Sequence, residues 1–469
     1  MAAAGSAVAT VGPAQAQQPR KPNIVLLYAD DLGWTDLGCF GSGYYETPNL
    51  DRLRRQGMQF TSSYSCAGNC APSRACLLTG QYVPRHGVYT VGGKNRFDGR
   101  EGQPDWNERP LLAPENASGL AAEKVTVAEA LHDAGYTCGL FGKWHISWGR
   151  NQEGQQPEDQ GFDEAVVQAA PRHFDFSVRP SPTEAPPKDA YLSDYLAGQA
   201  IGFIERNRDR PFFLFLSDYL VHVPLEAKQR LIEKYRKKPA AGGHHNPVYA
   251  AMIESLDHSC GRILDKLDEL DLAENTLVIF VSDNGGVGSA ANQGLNQGGR
   301  TTSNHPLRGM KGMLYEGGIR VPMIARWPGV VDPGSVCDKP VIGVDFYPTF
   351  MDIAGARPGE QILDGSSLVP LLKGEAREWS RTDIFWFMPG YLPGRQTPAA
   401  AVRSGDYKLI ESFENETVEL FNLAQDIGER EDLASAEPER AQNLRARLTR
   451  WRESTGALTP PRNPNFNPR

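Results

Sequence analysis

The sequence predicts an α/β fold: a mixed, mainly parallel sheet sandwiched by helices, followed by a smaller C-terminal antiparallel α+β subdomain. Three observations predict it. Short apolar runs of the kind buried on both faces, at 22–30, 137–141, 211–216 and 276–282, alternate with stretches of helical spacing. Two of those runs end in acid, at Asp30-Asp31 and at Asp283-Asn284. From about residue 381 the pattern changes to short strands joined by Gly-Asp turns.

Taken in order, Pro22-Asn23-Ile24-Val25-Leu26-Leu27-Tyr28-Ala29-Asp30 reads as a buried strand that presents Asp30 and Asp31 at its carboxyl end. A helix is expected from Thr47, with Pro48 in its first turn and Gly57 stopping it. Another is expected over 73–78, after Pro72, and a third over 127–134, ended by Gly135. A strand over 137–141, a helix over 190–206 and a buried strand over 211–216 follow. Residues 248–270 carry Met252, Ile253, Leu256, Ile263, Leu264 and Leu267 at helical spacing. The run 276–282 is the clearest strand and delivers Asp283 and Asn284. The stretch 285–303 is rich in Gly, Asn and Gln, hence a long loop at the carboxyl edge of the sheet, where open α/β sheets bind ligands. Short antiparallel strands are read at 383–387, 400–411 and 418–423, then a charged helix over 438–453. The division expected is a signal-peptide remnant or disordered tail at 1–20, a main α/β domain over 21–380 and a C-terminal subdomain over 381–469.

Composition narrows the function. A chain of 469 residues with 40% hydrophobic residues can bury a sizeable core. Its net charge of −8, with no Lys/Arg block, argues against a nucleic-acid partner. No stretch reaches the roughly 18 apolar residues of a membrane span. Ala14-Gln15-Ala16 resembles the end of a secretory signal, so an extracytoplasmic location, periplasmic or secreted, is expected. The charged start of such a signal is missing, which leaves the cytoplasm open. None of the seven cysteines forms a CxxC pair, which argues against a zinc ribbon, and the odd number leaves at least one thiol unpaired.

Chemistry concentrates at the strand ends. Asp30, Asp31 and Asp283 brought together repel strongly in a low-dielectric cleft, and a divalent cation relieves that repulsion. Oxygen ligands alone, with Asn284 completing the group, favour calcium or magnesium over zinc. The bland alternative is strand-end aspartates that cap turns. Against it stands the run Cys70-Ala71-Pro72-Ser73-Arg74, which opens CAPSRACLLTG at 70–80. Together the two features point to a nucleophile at Cys70 beside a hard metal ion.

The motif carries a resemblance. The chain is similar to the type I, formylglycine-dependent sulfatases from about Asn23 to Leu423, with the family's C-x-P-S-R-x-x-x-L-T-G spacing matched at Cys70, Pro72, Ser73, Arg74, Leu78, Thr79 and Gly80. That resemblance implies an alkaline-phosphatase-like fold and a Cys70 oxidised after translation to formylglycine by a formylglycine-generating enzyme. It implies calcium, or magnesium, held by Asp30, Asp31, Asp283, Asn284 and the modified Cys70. A hydrated aldehyde offers one hydroxyl to attack sulfur and a second to expel sulfate from the hemisulfate, dividing a hard displacement into two steps. Arg74, four residues on, is expected to face the cleft with Cys70 and support the nucleophile. Gly142-Lys143-Trp144-His145 resembles the family's G-K-W-H element, implying a sulfate contact for Lys143 and a base for His145. His222, in Val221-His222-Val223-Pro224, is the implied acid for the leaving alcohol. Lys311, in the run 310–318, resembles the lysine of G-K-x-x-x-x-E-G-G and is expected on a sulfate oxygen; Met310 stands where the family often has Gly.

The remaining histidines carry weaker expectations. His86 reads as structural and His258 as a satisfied partner on its helix. His305 and Arg308 are placed to touch a sugar, and His173, His244 and His245 to line the rim. The expected activity is hydrolysis of a sulfate monoester on a carbohydrate, with aryl sulfates as artificial substrates. Two rivals are a phosphonate or phosphate ester hydrolase and a silent glycan binder whose Cys70 is never converted.

Overall fold

The computed structural model describes residues 20–93, 106–147, 155–168, 172–180, 186–288, 301–357, 359–375, 377 and 379–467. Ala14-Gln15-Ala16 and the 289–300 part of the long loop lie outside the described residues. In chain order the strands are β1 (Asn23–Ala29), β2 (Met58–Phe60), β3 (Ser63–Tyr64), β4 (Thr137–Gly142), β5 (Glu164–Gln168), β6 (Val178–Arg179), β7 (Phe212–Ser217) and β8 (Thr276–Ser282). They continue with β9 (Met323–Arg326), β10 (Ser335–Cys337), β11 (Val341–Ile342), β12 (Asp383–Met388), β13 (Ala399–Ser404), β14 (Tyr407–Ser412) and β15 (Thr417–Asn422).

A nine-stranded sheet runs β10-β2-β9-β8-β1-β7-β4-β5-β6. Its centre is parallel: β1 pairs with β7 and β8, and β4 with β5 and β7. Antiparallel pairs enter at β8–β9, β2–β9 and β5–β6. Strand alternation explains how one sheet serves two cores. Val25, Leu27 and Ala29 of β1 face one apolar cluster, with the Leu192–Asn207 and Pro247–Glu269 helices. Ile24, Leu26 and Tyr28 face the other, with the Cys70–Thr79, Val127–Asp133 and Phe346–Ala354 helices.

The helices begin and end where local chemistry directs. Pro48 opens the Pro48–Gln56 helix and Gly57 follows its end. Thr126 and Glu129 form a reciprocal capping box at Val127. The helix that bears Cys70 starts earlier than the sequence indicates. It spans Cys70–Thr79, so Cys70 is its first residue and Pro72 lies within the first turn, where a missing N–H costs nothing.

The second sheet is four-stranded and antiparallel, in the order β12-β13-β14-β15. The expected strand over 400–411 is a hairpin, β13 and β14 folding back at Gly405-Asp406. Leu444, Leu448 and Trp451 of the Pro438–Thr455 helix join its core together with Tyr64, Cys76 and Tyr82 from the first body. All seven cysteines are free thiols. Among the described residues no helix is long and apolar enough to cross a membrane.

Candidate active site

The parallel register of β1 and β8 sets Ala29 opposite Ser282, so the residues that follow, Asp30 and Asp283, emerge side by side. Asp283 N–H donates to Ala29 O at 3.0 Å, and Asp31 N–H donates to Asp283 Oδ1 at 3.1 Å. Asp31 takes φ 65°, the left-handed region that Asp tolerates better than most side chains. The Cys70–Thr79 helix then delivers Cys70 to the same point. Ligand atoms of Asp30, Cys70 and Asp283 all lie within 4.8 Å of one another, as do those of Asp30, Asp31 and His222.

Three cations surround or underlie the acids. Lys143 directly follows β4, and its N–H donates to Ser217 O at 2.7 Å. Preceding it, Gly142 has φ 122°, and a Cβ there would sit 1.9 Å from Ser217 O, so only glycine fits. Lys143 Nζ reaches Asp30 Oδ2 at 2.5 Å, and Lys311 Nζ reaches Asp31 Oδ1 at 2.5 Å. Both ammonium groups are held above the ordinary lysine range. Burial opposes their charge, but Asp30 and Asp31 respectively outweigh it. Arg74 differs from expectation. Rather than facing the cleft, it is fully buried beneath the acids, with Nε and Nη2 on Asp283 Oδ2 at 3.1 and 2.8 Å and Nη1 on Lys143 O at 2.9 Å. Nη1 also donates to Ser217 Oγ, and the guanidinium lies 5.1 Å from the Tyr28 ring. Arg320, further off, serves Glu316 instead.

These partners split the two adjacent carboxyls. Burial, then the neighbouring Asp283, push Asp30 up to about 8, with Lys143 opposing. Asp31 is equally buried, yet Lys311 and His222 hold it well below the usual carboxylate range. Among the described residues, Asp30 Oδ1 and Asn284 Oδ1 are buried with no hydrogen-bond partner, while Asn284 Nδ2 donates to Asp31 Oδ1 at 2.9 Å. Orphaned oxygens beside crowded acids fit a hard divalent cation; the donor set of Asp30, Asp31, Asp283 and Asn284 is oxygen throughout. Burial pushes the Cys70 thiol up, so it stays protonated at neutral pH despite Lys143 and Lys311.

The histidines sort by environment. His222 is held at the cluster because Asp30 N–H donates to Leu220 O at 2.8 Å and Val221 N–H to Asp30 O at 2.6 Å. Its Nδ1–H donates to Val223 O at 2.6 Å, leaving Nε2 3.7 Å from Asp31 Oδ2. Its side chain is 17% exposed. Burial, then Lys143 and Lys311, keep the ring neutral. His145, at φ 60°, is likewise held neutral by burial and by Lys143 and Arg74.

Two expected rim histidines are not on the rim. His173 is buried, and its Nε2 lies 2.9 Å from His222 O. His244 is buried too, stacked on Tyr45 at 4.4 Å and 3.5 Å from Asp36. Both rings are absorbed by packing, each against an aromatic neighbour and with Nε2 on a backbone carbonyl. His245 and His305 are exposed. Arg308 is committed within the protein, 3.3 Å from Glu419 and stacked 3.9 Å over Tyr315. His86 is buried and structural, and His258 lies 3.8 Å from Glu254 on its own helix. Sequence reasoning missed Ser217, whose hydroxyl donates to Lys143 O at 2.7 Å, and Tyr219, whose ring lies 4.9 Å from Lys143 Nζ. A serine closing a buried strand carries no distinctive signal, and a tyrosine in a loop carries none either.

Comparison with known proteins agrees with this geometry. A sulfatase family model matches residues 22–356, and the model for the C-terminal part of N-sulphoglucosamine sulphohydrolase matches 309–454. A sulfatase of Formosa agariphila is 35% identical, over 89% of this chain and 85% of its own. N-acetylgalactosamine-6-sulfatase of Canis lupus familiaris is 34% identical, over 85% of this chain and 73% of its own. The crystal structure of Ps i-CgsB in complex with k-i-k-neocarrahexaose superimposes with a TM-score of 0.77 at 26% identity, covering 95% of this chain and 96% of that one. The architecture is thus alkaline-phosphatase-like with a small antiparallel sheet appended. Since the first match takes in the whole nine-stranded sheet and the cluster at its carboxyl edge, the chain belongs to the sulfatase family and is a hydrolase of sulfate esters.

Proposed function

We propose that the protein removes sulfate from a sulfated carbohydrate, with residue 70 converted from cysteine to formylglycine and calcium, or magnesium in its place, held by Asp30, Asp31, Asp283, Asn284 and residue 70. The observation that carries this reading is the convergence of Cys70, Asp30 and Asp283 within 4.8 Å beside two buried lysines. The cation and hydrated aldehyde supply an oxygen nucleophile available near neutral pH. The chain's own groups do the rest. Arg74 fixes Asp283 from below. Lys143 and Lys311 bind sulfuryl oxygens and meet the charge that develops on them. A bound sulfate offsets the Lys143 and Lys311 charges that depress His222 in its absence, so the ring takes up a second proton at Nε2 and passes it to the departing alcohol, and neutral His145 accepts a proton when sulfate is released.

Supporting the conversion, the unmodified Cys70 thiol is held protonated and would be a poor nucleophile. Cys70 is 1% exposed, so the formylglycine-generating enzyme must act before this helix docks. The carbohydrate assignment is supported by relatives whose names specify an N-acetylgalactosamine sulfate and a neocarrahexaose complex. An extracytoplasmic location, periplasmic or secreted, accompanies this reading.

The test joins mass analysis of the Cys70 peptide from the native host to turnover of sulfated sugars, aryl sulfate, aryl phosphate and aryl phosphonate. An aldehyde at residue 70 with preference for sulfate is expected. Preference for phosphonate would favour a phosphonate or phosphate ester hydrolase, and a bare thiol with glycan affinity but no turnover would favour a binder. Cys70→Ala should lower turnover by at least about 10³-fold while changing stability by only about 1 kcal/mol. Sulfate release at the wild-type rate by that variant would refute the nucleophile assignment.

A further inference from the structure

Tyr219 stands between two of the groups placed on the substrate. Its ring is 4.9 Å from Lys143 Nζ on one side and 5.1 Å from the His222 ring on another, in an edge-to-face arrangement. His173 packs at 5.8 Å behind it. The residue is half-buried, and among the described residues its hydroxyl makes no hydrogen bond. Neighbouring tyrosines behave differently. Tyr191 donates to Glu226 O at 2.8 Å and Tyr249 to Asp36 Oδ2 at 2.8 Å, the usual fate of a buried phenol. Burial pushes the Tyr219 phenol up to about 12, with Lys143 opposing and Asp30 and Cys70 adding, so the hydroxyl is a donor within electrostatic reach of residue 70.

We propose that Tyr219 is a substrate-contacting specificity residue whose hydroxyl hydrogen-bonds a free hydroxyl of the departing alcohol, selecting polyhydroxylated, sugar-like leaving groups. This rests on the reading of Lys143 and His222 as groups that face the ester. Lys143 sits on Asp30 and His222 lies beside Asp31, so the tyrosine ring bridges the two sides of the acid pair. A sulfate gripped by the lysines, with its ester oxygen toward His222, carries the atoms beyond that oxygen past Tyr219. A phenol that satisfies no protein acceptor is free to exchange water for a hydroxyl that the leaving group offers.

The experiment compares wild type with Tyr219→Phe, which keeps the ring against Lys143 and His222. The substrates are methyl pyranoside monosulfates, each paired with its deoxy counterpart lacking one hydroxyl beside the ester, together with 4-nitrophenyl sulfate. For the best pair, wild type should favour the hydroxylated ester by about tenfold in kcat/KM, and Tyr219→Phe should erase that preference. Retention of the preference by Tyr219→Phe on every pair, or its absence in wild type, would overturn the assignment. Hydrolysis of 4-nitrophenyl sulfate by wild type keeps the two readings apart. If it proceeds while the preference fails, only the role of Tyr219 falls; if no sulfate is released from any substrate, the proposed function falls with it.

Discussion

At the scale of single residues, the site is governed by which charges are sealed in. Arg74 has no exposure to solvent, and its guanidinium neutralises Asp283 where water cannot. With divalent cations chelated, Arg74→Met should therefore cost about 3–5 kcal/mol in urea unfolding, since a buried carboxylate is left without its charge partner. A loss under about 1 kcal/mol would show that Asp283 finds another partner. His222 is solvent-reachable by contrast, and its Nδ1–H bond to Val223 O reserves Nε2 for the proton that moves. His222→Ala should lose about 10²–10⁴-fold on alkyl or sugar sulfates and much less on 4-nitrophenyl sulfate, whose leaving group needs little protonation. Equal losses on both would argue against an acid at this position.

Elements carry these residues to one point, and their ends were partly legible. The acidic tips of β1 and β8 stand where the apolar runs stop, because a buried strand reads as a continuous apolar stretch. The start of the Cys70–Thr79 helix was less legible. Asn69 lies in extended conformation and caps without its side chain, so no capping signature marks the boundary. Ser73 does local work that the motif alone does not reveal: its hydroxyl accepts from Ala67 N–H at 3.2 Å and donates to Ala67 O at 3.0 Å, folding the preceding loop onto the helix. Just beyond this helix, His86 accepts from Val88 N–H through Nδ1 at 3.1 Å and places Nε2 3.3 Å from Cys76 Sγ. Burial, with a small addition from Lys124, lowers it to about 3. A base depressed on folding gives stability that is present above its unfolded value, near 6.5, and lost as pH falls toward 3. About 2 kcal/mol should disappear between pH 6.5 and pH 5. Urea unfolding of wild type and His86→Gln at pH 7 and pH 5 measures this. The variant should be less stable at pH 7 and lose less on acidification, and parallel losses would exclude His86 as the source.

Across the whole molecule, the two sheets are joined by buried charge. Lys408 of β14 has no exposure and contacts Glu316 at 2.9 Å and Glu429 at 2.8 Å. Glu316 also accepts from Tyr64 at 2.7 Å and Arg320 at 3.2 Å, and its N–H donates to Glu429 Oε2 at 2.7 Å. Glu316 follows Lys311 by five residues, and Gly318 O accepts from Gly285 N–H at 3.0 Å, next to Asn284. The antiparallel sheet thereby braces the segment that bears Lys311. Lys408→Met should cost about 3–5 kcal/mol, and adding Glu429→Gln should restore part of it. Additive losses in the double variant would show that the pair does not interact. Nothing in the sequence of Tyr407-Lys408-Leu409 distinguishes this lysine from a solvated one, because its partners lie far away along the chain.

By itself, the sequence determined the residue types of the site and the strands that carry them. An apolar run ending in Asp30-Asp31, another ending in Asp283-Asn284 and the spacing from Cys70 to Gly80 are local patterns, and local patterns need no fold to be read. Only the tertiary structure decided how they meet. The register that sets Ala29 opposite Ser282, the burial of Arg74 under Asp283, the withdrawal of His173 and His244 into packing and the placement of Tyr219 beside Lys143 all depend on contacts between distant segments. The physical reason is that burial and pairing are collective. A carboxylate, an imidazole or a phenol acquires its protonation, partner and direction from neighbours brought in by chain folding, and those neighbours leave no mark in the residues alongside it.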